Sequence, residues 1–247
     1  MRKNILITGA SSGLGKEMAR QFGALGRNLA LCARRTDALE SLREELTTAY
    51  PTITVSVAKL DVNDHDAVFT TFRAFADELG TLDRVIVNAG LGKGQPIGTG
   101  FFHANKETAE TNFVAALAQC EAAMEIFRKQ NAGHLVLISS ISALRGFPGN
   151  VTTYAATKAA VSSLAEGIRA DVYRTPITVS SILPGYIRSE MNENLRAPFI
   201  VDTDKGVRAM IRAIERESAA ARVPGWPWRP VGTLLKALPM RVLARLS

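Results

Sequence analysis

Short apolar runs and amphipathic stretches alternate along the chain from its first residues. KNILIT (3–8), NLALCA (28–33), ITVSVAKL (53–60), RVIVNAG (84–90), HLVLISS (134–140) and ITVSSIL (177–183) are rich in Val, Ile and Leu with little polar interruption. Runs of that length are the pattern of strands covered on both faces, as in a parallel sheet. Helical periodicity fills the intervals. One helix runs from about Leu14 to a stop at Gly26, and another places Leu39, Leu42 and Leu46 on one face, with Thr36 as N-cap and Pro51 as terminator. A third, TDKGVRAMIRAIERES (203–218), puts Val207, Met210, Ile211 and Ile214 at helical spacing. The alternation predicts a doubly wound α/β fold on a parallel sheet, in a single domain. No repeat or boundary interrupts residues 1–190, and residues 191–247 read as a divergent C-terminal extension of the same domain.

Composition narrows the picture. The chain has 247 residues, 47% apolar and 21% charged, as a soluble globular domain does. No apolar stretch approaches the roughly 18 residues that a membrane span requires. The opening MRKNILITGA has too short an apolar run for a signal peptide and reads better as a strand. Cys32 and Cys120 both lie in apolar surroundings, which predicts free buried thiols and a cytoplasmic location. Of the net charge of +7, five units come from Arg222, Arg229, Lys236, Arg241 and Arg245 in the last thirty residues, which contain no acid. The excess describes a tail, the rest lacks a basic recognition helix, and nucleic-acid binding is not expected. His65, His103 and His134 show no ligand spacing with each other or with a cysteine. They read as surface or loop residues, with no metal site.

Chemistry enters at ITGASSGLG, which follows the first strand and opens the first helix with the spacing Gly9-x3-Gly13-x-Gly15. A tight turn, a close backbone and a helix N-terminus are what a dinucleotide pyrophosphate needs. Gly9, Ser11, Ser12, Gly13, Leu14 and Gly15 are therefore candidate cofactor residues, the serines adding hydroxyl donors. The second strand ends in CARRTD. An acid there would accept a bond from a ribose 2′-hydroxyl, whereas Arg34 and Arg35 suit a 2′-phosphate through forked, charge-assisted bonds. NADP(H) is the expected cofactor, with NAD(H) second.

In this order the motifs resemble the short-chain dehydrogenase/reductase family over about residues 3–190. TGASSGLG looks like its cofactor loop, LDV (60–62) its adenine contact, and NAG (88–90) its strand-4 motif. Asn112 in ETNFVAAL, the serine of ISSISALRG (138–146), YAATK (154–158) and PGYIRS (184–189) complete the set. The resemblance implies a Rossmann fold and an oxidoreductase. Asp61, Val62, Asn88, Ala89, Gly90, Pro184, Gly185, Ile187 and Ser189 would join Tyr154 and Lys158 in holding the cofactor. Asn112, Ser140, Tyr154 and Lys158 would be catalytic. Tyr154 would exchange a proton with the substrate oxygen, Lys158 would lower the phenol pKa and hold the nicotinamide ribose, Ser140 would orient the substrate, and Asn112 would hold a relay water. A phenol near pKa 10 needs about 4 kcal/mol of differential stabilisation to titrate near 7, and an adjacent ammonium has the right sign. Ser140 stands fourteen residues before Tyr154, so Ser142, twelve before it, remains the competing serine.

GLGKGQPIGTG (90–100) is expected to be a flexible loop beside the site, and MNENLRAPFI (191–200) part of a lid. The tail VPGWPWRPVGTLLKALPMRVLARLS has three open fates: packing on the core or on another subunit of a homo-oligomer, peripheral membrane contact, or disorder. Its apolar character favours a hydrophobic carbonyl or secondary-alcohol substrate. The rival readings are a non-catalytic NADP(H) sensor or scaffold, and a membrane-recruited module of the same fold.

Overall fold

The computed structural model of the protein describes residues 2–190 and 199–245. Seven parallel strands form one sheet in the order β3-β2-β1-β4-β5-β6-β7. They are β1 Asn4–Thr8, β2 Asn28–Ala33, β3 Val55–Lys59, β4 Arg84–Val87, β5 Gly133–Ile138, β6 Ile177–Pro184 and β7 Ala220–Val223. The helices are α1 Gly13–Ala24, α2 Thr36–Ala49, α3 His65–Leu79, α4 Phe102–Ala109, α5 Ala115–Gln130, α6 Thr152–Asp171, α7 Thr203–Glu215, α8 Gly225–Ala237 and α9 Met240–Leu243.

Alternation along each strand builds two cores. Leu6, Ala30, Val85, Val87, Leu135 and Leu137 meet α3, α5 and α6 on one face. Ile5, Ile7, Leu29, Leu31, Ile86, Val136 and Ile138 meet α1, α2 and α7 on the other. Both faces are apolar because both are covered, which is why the strands carry so little polar interruption. Cys32 and Cys120 are free and buried, and burial pushes each thiol up to about 12.

Several boundaries differ from the sequence expectation. Cα pairing of β4 with β5 ends at Val87–Leu137, so Asn88, Ala89 and Gly90 leave the sheet as loop. Likewise β5 stops at Ile138, and Ser139 and Ser140 follow it as extended backbone and a cap. Thr36 is the first residue of α2 rather than its N-cap; the extended backbone turns helical after Arg35, whose side chain makes no cap bond. The edge strand β7 was not foreseen, because AARV is short and only partly buried and takes its register from β6.

His134 is a correction of another kind. It is a fully buried residue of β5, not a surface or loop histidine. Arg84 in β4, 1% exposed, donates from Nε to His134 Nδ1 at 2.9 Å and from Nη1 to Glu215. Glu215 also accepts from Arg27 at 2.8 Å, and His134 Nε2 meets Ser180 Oγ at 2.8 Å. Since a guanidinium only donates, Nδ1 must carry a lone pair, and the imidazole is neutral with its proton on Nε2. Burial and then the Arg84 charge push His134 down to about 3. The cluster ties the end of α7 to the middle of the sheet, and an arginine left there without its carboxylate would be an uncompensated buried charge.

The unfolded histidine titrates near 6.5. Unfolded chains therefore bind the extra proton, and stability present above about pH 6.5 falls as pH drops toward 3. By pH 4.5 the loss is about 2–3 kcal/mol. Against the upward push of burial, hydrogen bonds from Arg2 and Thr178 hold Glu217 down to about 2, so its own contribution is lost only below roughly pH 4.5. Urea melts between about pH 7 and 4.5 should show this slope. His134→Gln, which keeps one acceptor and one donor, should flatten it.

Candidate active site

The loops after β1 and β4 part at the point where the strand order reverses, the usual place for a ligand crevice in an open α/β sheet. Thr8 clamps that point. Its Oγ1 accepts from the backbone N–H groups of Asn88 at 3.0 Å and Ala89 at 3.1 Å, and its carbonyl accepts from Asn88 Nδ2 at 2.9 Å. Gly9 turns there with φ of +66°, and a Cβ on it would lie 3.0 Å from Ala89 Cα. At Gly15 a Cβ would run into the Gly9 carbonyl and sit 2.7 Å from Asn88 Nδ2. Only glycine lets α1 come this close. Gly13 has φ of +51°, and Leu14 packs on the core from the first turn of α1.

The N-terminus of α1 has no acid in its first turn, and its N-cap Ser12 makes no side-chain cap bond. Such an end presents N–H groups and a positive dipole to an anion. Ser11 and Ser12 are partly exposed beside it. At the end of β2, Arg35 donates to Ser11 Oγ at 3.3 Å and to Glu190 Oε2 at 3.3 Å, and Arg34 is exposed. Val62 is buried, while the exposed Asp61 accepts from Asn63 N at 3.0 Å. A glycine cradle, an acid-free helix end and two arginines fit a phosphorylated dinucleotide.

Asn112 lies in a π-helical turn, Glu110–Val114, between α4 and α5. Its Oδ1 accepts from Leu91 N at 2.8 Å, and its Nδ2 donates to Leu91 O at 2.8 Å and to Thr157 Oγ1 at 3.3 Å. The asparagine thus clips the loop after β4 to α6. Gly90 runs past both functional helices: a Cβ there would be 3.1 Å from Asn112 Oδ1 and 3.6 Å from Lys158 Nζ.

Ser140 caps the short 3-10 turn Ile141–Leu144, its Oγ accepting from Ser142 N at 3.1 Å, and its hydroxyl acts to lower the pKa of Tyr154. Ser142, the competing serine, is buried within that turn. Lys158, 6% exposed, donates from Nζ to Ile138 O at 2.8 Å. Its carbonyl accepts from Ser139 Oγ at 2.8 Å, so side chain and backbone are both tied to the end of β5. Burial pushes Lys158 down to about 8. Tyr154 is half-buried. The expected lowering of its pKa by Lys158 is not what this structure shows. Burial pushes the phenol up, against the hydrogen bond with Ser140, and Tyr186 adds to the rise. Lys158 Nζ stands 5.8 Å from the ring centroid, with its hydrogen bond made to Ile138.

Pro184 is buried at the end of β6, and Gly185 donates to Val223 O at 2.8 Å. Ile187 is buried and bridges Val201, and Ser189 Cβ lies 3.6 Å from where a Gly13 side chain would begin. This loop therefore reaches across to the glycine turn. Of the expected lid, residues 191–198 lie outside the described residues. Packing describes α8, whose Trp228 is buried against Gly185, while Trp226, Leu234, Met240 and Val242 are exposed. Among the described residues no helix is long and apolar enough to cross a membrane, and no three potential metal ligands cluster. Thr8, Thr157, Tyr186 and Trp228 were not singled out from the sequence. Thr8 could have been, as the residue joining the first strand to the glycine turn; the others gave no local signal.

The profile of the short chain dehydrogenase family matches residues 3–198. An "uncharacterized oxidoreductase" of Mycobacterium tuberculosis (strain ATCC 25618 / H37Rv) is 53% identical over 247 residues, covering 100% of this chain and 98% of its own. A short-chain dehydrogenase from Sphingobium yanoikuyae, solved in complex with NADPH, superposes with a TM-score of 0.83 at 25% identity, covering 95% of this chain and 93% of its own. Levodione reductase shares the fold, with a TM-score of 0.84 at 22% identity over 93% of this chain and 98% of its own. With its glycine cradle, Ser140, Tyr154 and Lys158 gathered at the C-terminal ends of the central strands of a seven-stranded parallel sheet, the chain belongs to the short-chain dehydrogenase family of oxidoreductases.

Proposed function

We propose that the protein transfers a hydride between NADP(H) and a hydrophobic carbonyl or secondary alcohol, with Tyr154 as general acid or base. The observation that carries this is the convergence of Ser140, Tyr154 and Lys158 beside the glycine cradle. A sensor or scaffold would need the cradle but not the paired hydroxyls or the buried amine.

The bound nicotinamide supplies or accepts the hydride. Negative charge then develops on the substrate oxygen in reduction, and a proton must reach it. The raised phenol of Tyr154 is in the donating form, which suits carbonyl reduction. Ser140 orients that oxygen by hydrogen bonding, and Lys158 adds positive charge from the next turn of α6. Asn112 keeps the loop after β4 against α6, with the relay water of related enzymes as its further role.

Arg34 and Arg35 support the 2′-phosphate cofactor, as does the NADPH complex of the Sphingobium relative. The aromatic rings of Tyr186, Phe199 and Trp228, packed together at the loop after β6, support an apolar substrate. In this reading residues 1–190 hold cofactor and catalytic groups, and 191–247 form the lid and substrate wall. The enzyme is a cytoplasmic homo-oligomer.

Tyr154→Phe should lower kcat by a factor of about 10²–10⁴ and leave NADPH affinity near wild type, read by steady-state NADPH oxidation and calorimetry. Undiminished turnover would remove Tyr154 from the mechanism. Arg34→Ala/Arg35→Ala should cut the NADPH-to-NADH ratio of kcat/KM at least about tenfold, the effect of losing one to two charge-assisted bonds. An unchanged ratio would assign the 2′-phosphate elsewhere.

A further inference from the structure

Trp228 of the C-terminal extension packs on the loop that follows Pro184. Trp228 is 3% exposed, and its indole lies so close on Gly185 that any Cβ at that position would overlap the ring. Tyr186, the next residue, meets the indole edge-on with centroids 5.3 Å apart at 85°. Phe199 meets it in the same way at 6.4 Å and 87°. Edge-to-face packing of this kind fixes ring orientation as well as position.

The helix carrying Trp228 is itself anchored on the catalytic side of the sheet. A Cβ on Gly232 of α8 would lie 2.7 Å from Leu144 Cδ1 and 3.0 Å from Ile141 Cδ1, in the turn that Ser140 caps. Arg145, directly after that turn, donates to Lys236 O at 2.7 Å. On the other side Arg222 donates to Arg229 O at 3.0 Å, joining β7 to α8. Thus α8 bridges the segment that follows Ser140 and the loop that follows Pro184.

We propose that Trp228 is a positioning residue of the active site: it seats Tyr186 within reach of Tyr154, and so sets the wall against which an apolar substrate lies. The proposal rests on the functional reading above. Tyr186 is half-buried and follows the C-terminal end of β6, whose Ile182 carbonyl accepts from Ser139 N, beside the segment that carries Ser140. Its ring offers an apolar face and its hydroxyl a polar tip, which suits a ketone with a bulky hydrocarbon body. Trp228 Nε1 is buried and has no acceptor among the described residues, so the indole is held by packing rather than by a hydrogen bond. Phenylalanine should therefore replace it in large part.

The test compares full-length wild type, Trp228→Ala, Trp228→Phe and Tyr186→Ala. NADPH affinity is measured by calorimetry, and kcat and KM with ketones from cyclohexanone to trans-1-decalone. Trp228→Ala should bind NADPH within about threefold of wild type while KM for decalone rises about tenfold or more, a larger change than in kcat. Cyclohexanone should be less affected, and Trp228→Phe should recover most of the loss. If Trp228→Ala does not fold, Tyr186→Ala, which removes the ring that Trp228 seats, decides: it should raise KM for decalone more than for cyclohexanone at normal NADPH affinity. Normal NADPH binding with preferences unchanged in every folded variant overturns this inference alone. A wild-type protein that binds no NADPH, or binds it and reduces no ketone of the series, overturns the functional reading and this inference with it.

Discussion

An ammonium taken out of water needs partners, and the catalytic end of this sheet is arranged around that demand. Lys158 lies in the interior with Nζ on the Ile138 carbonyl, a group freed for it because β5 ends there. The same turn of α6 accepts a bond from Ser139 through the Lys158 carbonyl, and Ser139 also meets Ser162 at 2.7 Å. Helix and strand end are thereby held in one register. Ser140, the next residue, caps the turn that follows. Desolvation disfavours the cation and pushes Lys158 down to about 8, which leaves the amine largely charged at neutral pH.

A second constraint acts at the start of the crevice. Backbone N–H groups leaving β4 cannot pair with β5 beyond Val87, and Thr8 takes two of them through one hydroxyl. That arrangement brings Asn88 against the Gly9–Gly15 turn, where close approach leaves no room for side chains. Asn112 does the corresponding work for Leu91. The glycine turn, the loop after β4 and α6 are thus joined by side chains that satisfy loop backbone.

Some of this was plain in the residues. The apolar runs marked six strands because a strand covered on both faces tolerates few polar side chains, and the glycine spacing marked the turn because close backbone contact excludes Cβ atoms. YAATK could be read because positions four apart share a helix face. By contrast β7 depends on pairing with β6, and His134 looked like a loop residue until Arg84 and Ser180 appeared beside it. Periodicity carries no record of such long-range partners.

The sequence by itself determined the fold class, the order of the motifs and the identities of Ser140, Tyr154 and Lys158 as candidates, since each depends on local spacing or on covered strands. Only the tertiary structure decided that Ser140 caps the turn after β5, that burial raises Tyr154 while Lys158 is bonded to Ile138, and that α8 returns to seat Trp228 on Gly185. Those outcomes depend on distances between segments far apart in the chain and on how much water their packing removes. Neither quantity is written in local pattern.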